Sequence, residues 1–499
     1  MGAGRGERER RVSAAELAQH SSRESAWVRI GSRVYDVSRW LDAHPGGQTV
    51  LLNHAGRDAT HAFRSFHAPH VAAKHLAPLD VGAAAWDGDC AADEDFRALR
   101  AQLEAEGLFR PTLRFYAAQV RPPHAPARRF MAPNSRSIHR LTRSRQLVWL
   151  CVLFALVLRL TVAGSAALRV AGGVVLGIFW QQAAFVGHDA GHAGITGRRG
   201  VDQAIGLVCG NMLTGIEIGW WQATHNVHHT TPNSVEHDAD VQHLPFMAVS
   251  EAFLRGVYSR FHNDRMACGP AERRLLAWQH WYFFPILTVA RYGLLLQGVK
   301  TVWWEWGKRN TGFGAPNARW TRAVEAAALA VFYAYAAALL ARLPCAAERL
   351  AFTYASGATF AVLHLQINLS HWSQRVLPGA PPGGWVDTQL AATLNWSCPP
   401  WLDWCALGCL PCAIGCMLTH AAVSTGSTAG CSSRSSTTCS RGCRAPTCVA
   451  WRLVCARCAP ATACRTASSA SSRRRRRSGA RCAAWRTRQR RWMLSEAFD

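Results

Sequence analysis

The stretch that decides the fold runs from 187 to 243 and carries His188-Asp-Ala-Gly-His192, His225-Asn-Val-His-His229 and His237-Asp-Ala-Asp240. The first two motifs place five histidines in two tight clusters, each beside an apolar segment, which is more than packing needs. Neutral imidazole is the commonest biological metal ligand, and iron accepts it readily. Spacings of three and four residues put ring nitrogens on one helix face, where they can converge on one ion. A lone histidine in such a place would be read as a hydrogen-bonded core residue; two clusters point to metal.

The chain has 499 residues, long enough for two or three domains. Hydrophobic residues make up 49% of it and Trp occurs 21 times, which suits a membrane protein with an aromatic interface belt. A net charge of +25 suggests nucleic acid or an anionic membrane surface until its location is read. Residues 427–499 hold sixteen Arg against one Glu and one Asp, and twelve of the eighteen Cys lie beyond Trp404. Neither total describes the body of the chain, and no nucleic-acid partner is expected. The first twenty residues are polar and charged, so no cleavable signal is expected. The first long apolar run begins near Gln146, and what precedes it is expected to face the cytosol, without disulfides.

Residues 1–12 read as a disordered basic leader. Ser13 is a candidate N-cap, with Glu16 three positions on. Two short strands, Trp27-Val-Arg-Ile30 and Arg33-Val-Tyr-Asp-Val37, flank a Gly31-Ser32 turn. His44 then stands in a Pro-Gly-Gly turn whose small residues let a planar ligand approach, and His67 follows 23 residues later. The run from Tyr35 through His44-Pro-Gly-Gly47, with Gly56-Arg-Asp-Ala-Thr60 and Phe66-His67, resembles cytochrome b5. That resemblance implies a small α+β domain over 13–85 in which His44 and His67 clamp heme b axially. His54, His61, His70 and His75 are expected on the surface or on helix faces. Residues 86–145 read as a polar linker that lets this domain swing.

Six apolar stretches follow, at 146–164, 167–187, 203–219, 275–297, 323–343 and 351–369. Four are expected to cross the membrane, each needing about 20 residues. The stretch at 203–219 contains Asn211 and Glu217, and that at 275–297 contains His280 and Arg291, so those two are expected to lie in the interface. An even count places the heme domain and both histidine clusters on the same, cytosolic side.

The histidine clusters, together with Trp220-Trp221-Gln-Ala-Thr-His225, Thr231-Pro-Asn233, Gln279-His280-Trp and His364-Leu-Gln-Ile-Asn-Leu-Ser-His371, resemble membrane fatty-acid desaturases and hydroxylases. The cytochrome b5 fusion narrows the resemblance to front-end desaturases. It implies an all-α multi-span domain over 146–404 and two non-heme irons. It also implies O2, a fatty-acyl or sphingoid lipid, and a cytochrome b5 reductase or similar donor, in the endoplasmic reticulum membrane. By that resemblance His188, His192, His225, His228, His229 and His371 are the iron ligands, with Asp189, Asp238 and Asp240 orienting them. His280 and His364 are read as supporting or packed residues. The same scaffold would also serve a lipid hydroxylase.

The family's third box, a Gln-x-x-His-His run after a Trp-x-Asp-Trp element, is missing. Trp401-Leu-Asp-Trp404 is present, but the only later histidine is His420. Read from each third base, codons for Gly426 to Arg444 permit Phe-His-Gly-Gly-Leu-Gln-Phe-Gln-Ile-Glu-His-His-Leu-Phe-Pro-Arg-Leu-Pro-Arg. Residues 405–499 are therefore expected to be an out-of-frame or unspliced, disordered Arg/Ser/Cys-rich tail. In such a tail the run Arg473 to Arg477 and the Cys409-x-x-Cys412 and Cys455-x-x-Cys458 pairs are accidents. A chain so altered could also be an inactive heme-binding membrane protein.

Overall fold

A computed structural model of the chain describes residues 9–67, 69–86, 91–106, 145–303, 319–377 and 384–394. The third-box region, Trp401–Trp404, His420 and the Arg-rich tail lie outside the described residues, as do residues 1–8 of the leader.

The N-terminal part is an α+β unit built on a five-stranded sheet of order β1-β5-β3-β2-β4. The strands are β1 Arg11–Ser13, β2 Trp27–Ile30, β3 Arg33–Asp36, β4 Arg57–Asp58 and β5 Asp80–Ala85. Strands β2 and β3 pair antiparallel, as their alternation predicts. Trp27 and Val34 pack to one side with Val12 and Leu17, while Val28 and Tyr35 pack to the other with Val37 and Leu41. That is the period of two expected of a strand buried on both faces. Ser13 caps α1 (Ala14–Gln19), its Oγ accepting the Glu16 amide at 3.1 Å. The expected leader ends sooner than its charge suggests, because Arg11–Ser13 joins the sheet edge in parallel with β5. Helices α2 (Gln48–Leu52), α3 (Thr60–Phe66) and α4 (Pro69–His75) complete the unit.

The described start of the linker is a helix, α5 (Ala91–Ala105), and it is docked. Phe96 meets His61 edge-on at 5.3 Å, and Asp93 lies 3.4 Å from the His61 ring. His61 is consequently buried, 5% exposed, and not at the surface; its helix face is covered by α5.

The second part is helical: α6 (Arg145–Leu160), α7 (Ala166–Gly191), α8 (Arg199–Gly206) running into a wide-turned segment Leu207–Thr214, and α9 (Ile218–Thr230). A small hairpin of β6 (Val257–Ser259) and β7 (Asp264–Met266) precedes α10 (Pro270–Ala277), α11 (Gln279–Trp303), α12 (Arg319–Ala341), α13 (Ala346–His371) and α14 (Trp385–Ala392). Among the described residues four helices are long and apolar enough to cross a membrane: Ala166–Gly191, Gln279–Trp303, Arg322–Ala341 and Ala346–His371.

The number matches the expectation, but the membership does not. The stretch at 275–297 forms one of the four, because Arg291 does not face lipid. Its guanidinium is fully buried, 3.7 Å from the Trp180 ring centre and 4.5 Å from that of Phe360, and it donates to the Thr214 carbonyl. A cation turned into a bundle does not bar a span. Among the described residues the stretch at 146–164 forms the 16-residue α6, about 24 Å long. Segment 203–219 does not span: its Asn211 side chain takes the Ile218 amide at 3.0 Å, tying the wide-turned segment to the start of α9. Helices α7 and α13 lie against each other closely enough that a Cβ on Gly173 would stand 2.5 Å from the Phe352 carbonyl. The core between them holds Leu176, Phe179, Trp180, Phe332 and Phe360.

Candidate metal and heme sites

Glu217 starts the helix that carries the second histidine cluster. Its carboxylate accepts the Gly219 amide at 3.0 Å and the Trp220 amide at 2.6 Å. A buried carboxylate at a helix N-terminus satisfies amides that have no partner within the helix. The capped α9 then presents His225, His228 and His229, all buried. His188 comes from the last turn of α7, and His192 follows its end. Gly191 permits this meeting, since a Cβ there would stand 2.3 Å from the Trp221 ring. Trp221 in turn stacks on His225 at 4.4 Å.

Four of the expected ligands converge. His188, His192, His225 and His229 offer one nitrogen each within 4.8 Å of one another. The His225 Nε2 is 3.2 Å from His188 Nε2 and 2.9 Å from His229 Nε2. Four imidazole nitrogens around one point are a donor set that suits a divalent transition metal. The His188 Nδ1 lies 3.0 Å from the Asp189 carboxylate, a contact that turns its Nε2 toward the cluster.

The other two expected ligands form a separate pair. The His228 Nε2 and His371 Nε2 are 3.3 Å apart. A carboxylate and a carbonyl can only accept, so each Nδ1 is the protonated nitrogen: His228 donates to Asp238 at 2.9 Å and His371 to the Ala392 carbonyl at 3.2 Å. Both Nε2 atoms are thereby left for metal. Burial opposes charge on His228, but the Asp238 and Asp240 carboxylates outweigh it and raise its pKa to about 9. A metal entering this site displaces that proton. Asp238 is fully buried and also takes the Asn233 amide at 2.8 Å. Asp240 is 3.9 Å from His225 Nδ1 and 3.7 Å from His228 Nδ1, beyond hydrogen-bond length. Replacing Asp238 by Asn should lower iron affinity by roughly 10–100-fold, measured by iron retention against a graded chelator.

Two supporting residues were not singled out in the sequence as site residues. Asn233, at φ 57°, donates through Nδ2 to the carbonyls of His371 (2.7 Å), Ala392 (3.2 Å) and Arg375 (3.3 Å). It locks the loop after α9 to the end of α13. Asn233→Ala should cost about 1–3 kcal/mol, the penalty for stranding buried carbonyls, read as a lower thermal midpoint. Gln389 of α14 donates to the His229 carbonyl at 2.8 Å. The wider motifs also sort. His237 is held by Ser234 at 2.9 Å, and His364 packs edge-on to Phe360 at 5.4 Å; neither joins the clusters. His280 lies beside Trp281 at the start of α11.

In the N-terminal unit the His44 and His67 rings face each other with centres 5.9 Å apart. That separation accommodates one metal between two nitrogens at ~2 Å each. His44 Nδ1 donates to the Gly47 carbonyl at 2.9 Å and His67 Nδ1 to the Phe63 carbonyl at 3.0 Å, which again reserves Nε2 for metal. Burial pushes His67 down to about 4 and lowers His44 as well, so both rings are neutral near pH 7. Their unfolded values lie above their folded ones, so on acidification the unfolded chain takes up protons first. Stability of the heme-free unit should hold above pH ~7 and fall from about 6.5 toward 4, as denaturant titrations at stepped pH would record.

Comparison with known proteins matches both parts of the chain. The cytochrome b5-like heme/steroid binding domain family matches residues 13–85, and the fatty acid desaturase family matches residues 165–409. Delta(8)-fatty-acid desaturase 2 of Arabidopsis thaliana is 34% identical over 402 residues, covering 80% of each chain. Delta(8)-fatty-acid desaturase of Helianthus annuus is 32% identical, over 79% of this chain and 78% of that one. Delta 8-(E)-sphingolipid desaturase of Komagataella phaffii is 33% identical over 233 residues, 46% of this chain and 42% of that protein. A solved cytochrome b5 of Ostreococcus tauri virus 2 is 38% identical over 15% of this chain and 96% of its own, with a TM-score of 0.15. With a heme-type histidine pair in the first unit and clustered histidines in the second, the chain belongs to the cytochrome b5-fused front-end desaturases, oxidoreductases that act on acyl-lipid or sphingoid chains.

Proposed function

We propose that this desaturase introduces a double bond at the eighth carbon of a long-chain sphingoid or fatty-acyl substrate, with O2 as oxidant. The observation that carries the chemistry is the convergence of His188, His192, His225 and His229 beside the His228–His371 pair, with Nδ1 of His228 and of His371 tied to its own acceptor. Iron held there supplies the oxidising power to remove hydrogen from an unactivated methylene. The protein's part is to orient the ligands through Asp189 and Asp238 and to brace the site with Trp221, Asn233 and Gln389. His44 and His67 would hold heme b, which would carry electrons from a reductase of the cytochrome b5 reductase kind. The names of the relatives support the position of the double bond. The four long apolar helices support a multi-pass membrane protein.

Each nitrogen cluster is bounded by what the chain supplies. The His228–His371 pair offers two imidazoles among the described residues, where the family expects further ligands from its third box. The match to the desaturase family stops at residue 409, which supports the proposal that the frame changes near Cys405. Sequencing the transcript from Trp404 to Arg444 tests it; an in-frame message with no alternative junction overturns it. For the chain as written, the incomplete pair favours a second reading, a heme-binding membrane protein that does not turn over. Yeast expression with lipid profiling tests the reaction: new double bonds support desaturation, and new hydroxyl groups support the hydroxylase alternative instead.

A further inference from the structure

The two units meet at a specific aromatic contact. Phe66 ends α3, immediately before the axial candidate His67, and its ring meets His229 edge-on with centres 6.5 Å apart. His229 is one of the four converging imidazoles. No other aromatic contact among the described residues joins the N-terminal unit directly to a histidine of that cluster. Three further features hold the units in this arrangement. Helix α2 packs on α9, and α14 packs on both α3 and α5. Phe96 of α5 meets Trp385 of α14 at 6.1 Å. Gln389, on the same α14, holds the His229 carbonyl. Arg199, at the start of α8, lies near enough to His44 and His67 to disfavour charge on both.

We infer that Phe66 is the positioning residue that seats the heme unit on the second-box helix, so that one-electron transfer from a reduced heme enters the metal cluster at the His229 side. The inference rests on the proposed function for the heme and the irons. One aromatic residue then separates a heme ligand from an iron ligand along the chain, with His67 covalently next to Phe66 and His229 in ring contact with it. Phe66 is half-buried at that junction, and His229 is buried. A heme unit swinging on a free tether would have no need of such a seat. In the balanced step one electron leaves ferrous heme, which becomes ferric, and one ferric iron in the cluster becomes ferrous.

The test uses the full-length chain in membranes. First, Phe66→p-benzoylphenylalanine is irradiated without added substrate or metal. The expected adduct is to peptides containing Ile218–Thr230 or Gln389; adducts confined to other segments overturn the seat. Second, ferrous heme reoxidation is followed by absorbance under O2. Phe66→Ala should slow the iron-dependent phase by about tenfold, the weight of a single aromatic pair at a docked junction. The heme spectrum and its reduction by a chemical reductant should not change, and Phe66→Tyr should restore the rate. An unchanged rate in Phe66→Ala overturns the role. If the iron assignment itself fails, the parent chain lacks the iron-dependent phase while the photo-adduct persists, so the two failures are distinguishable.

Discussion

In the chain whose frame is restored across Trp404 to Arg444, His225→Ala should abolish new lipid products and remove one iron per chain. This ring meets all three other imidazoles of the cluster: its Nε2 lies 3.2 Å from that of His188 and 2.9 Å from that of His229, and its ring centre is 5.1 Å from that of His192. It is also the ring that Trp221 stacks on. Deleting it removes one of four nitrogens, unseats Trp221 and leaves a hole in a buried polar site. The remaining imidazoles can then relax toward one another. Iron counted against heme, together with lipid profiles from the same cells, checks both effects. His280→Ala, at the start of α11 and apart from the cluster, should leave both readings unchanged.

The second large effect belongs to the heme. His44→Ala removes one of two facing rings 5.9 Å apart, together with the hydrogen bond that fixes its Nε2. The six-coordinate low-spin heme spectrum should disappear. In the frame-restored chain, desaturation should fall to background in a host that lacks a free cytochrome b5, while iron content stays unchanged. Loss of iron as well would show that the two sites do not fold independently. Normal product formation would show that electrons reach the iron by another route.

Much of this arrangement was legible in the residues themselves. His225 and His229, four residues apart, could face one point only as a helix, and α9 is that helix; His228, three residues after His225, turns instead to His371. The Pro-Gly-Gly turn at His44 and the paired strands before it were equally readable, because turns and alternation are local. The failures are failures of tertiary context. Arg291 argued against a span, because sequence does not say which way a side chain points, and the bundle turns it onto Trp180 and Phe360. The linker read as a tether, because the partners of Asp93 and Phe96 lie far along the chain, at His61 and Trp385. Gln389 carried no signal, since a single glutamine acquires its role only by meeting the His229 carbonyl. Asp240 matched a motif but stands too far from either ring to orient it, whereas Asp238, two residues earlier, does so.

The missing third box has the sharpest consequence. The four-imidazole cluster lies wholly within the described residues, where the His228–His371 pair offers two imidazoles. Heme and non-heme iron should therefore be counted on the purified chain as written and on one whose frame is restored across Trp404 to Arg444. The prediction is one heme with a single iron for the first and one heme with two irons for the second. Two irons on the chain as written, or none on either, would contradict it.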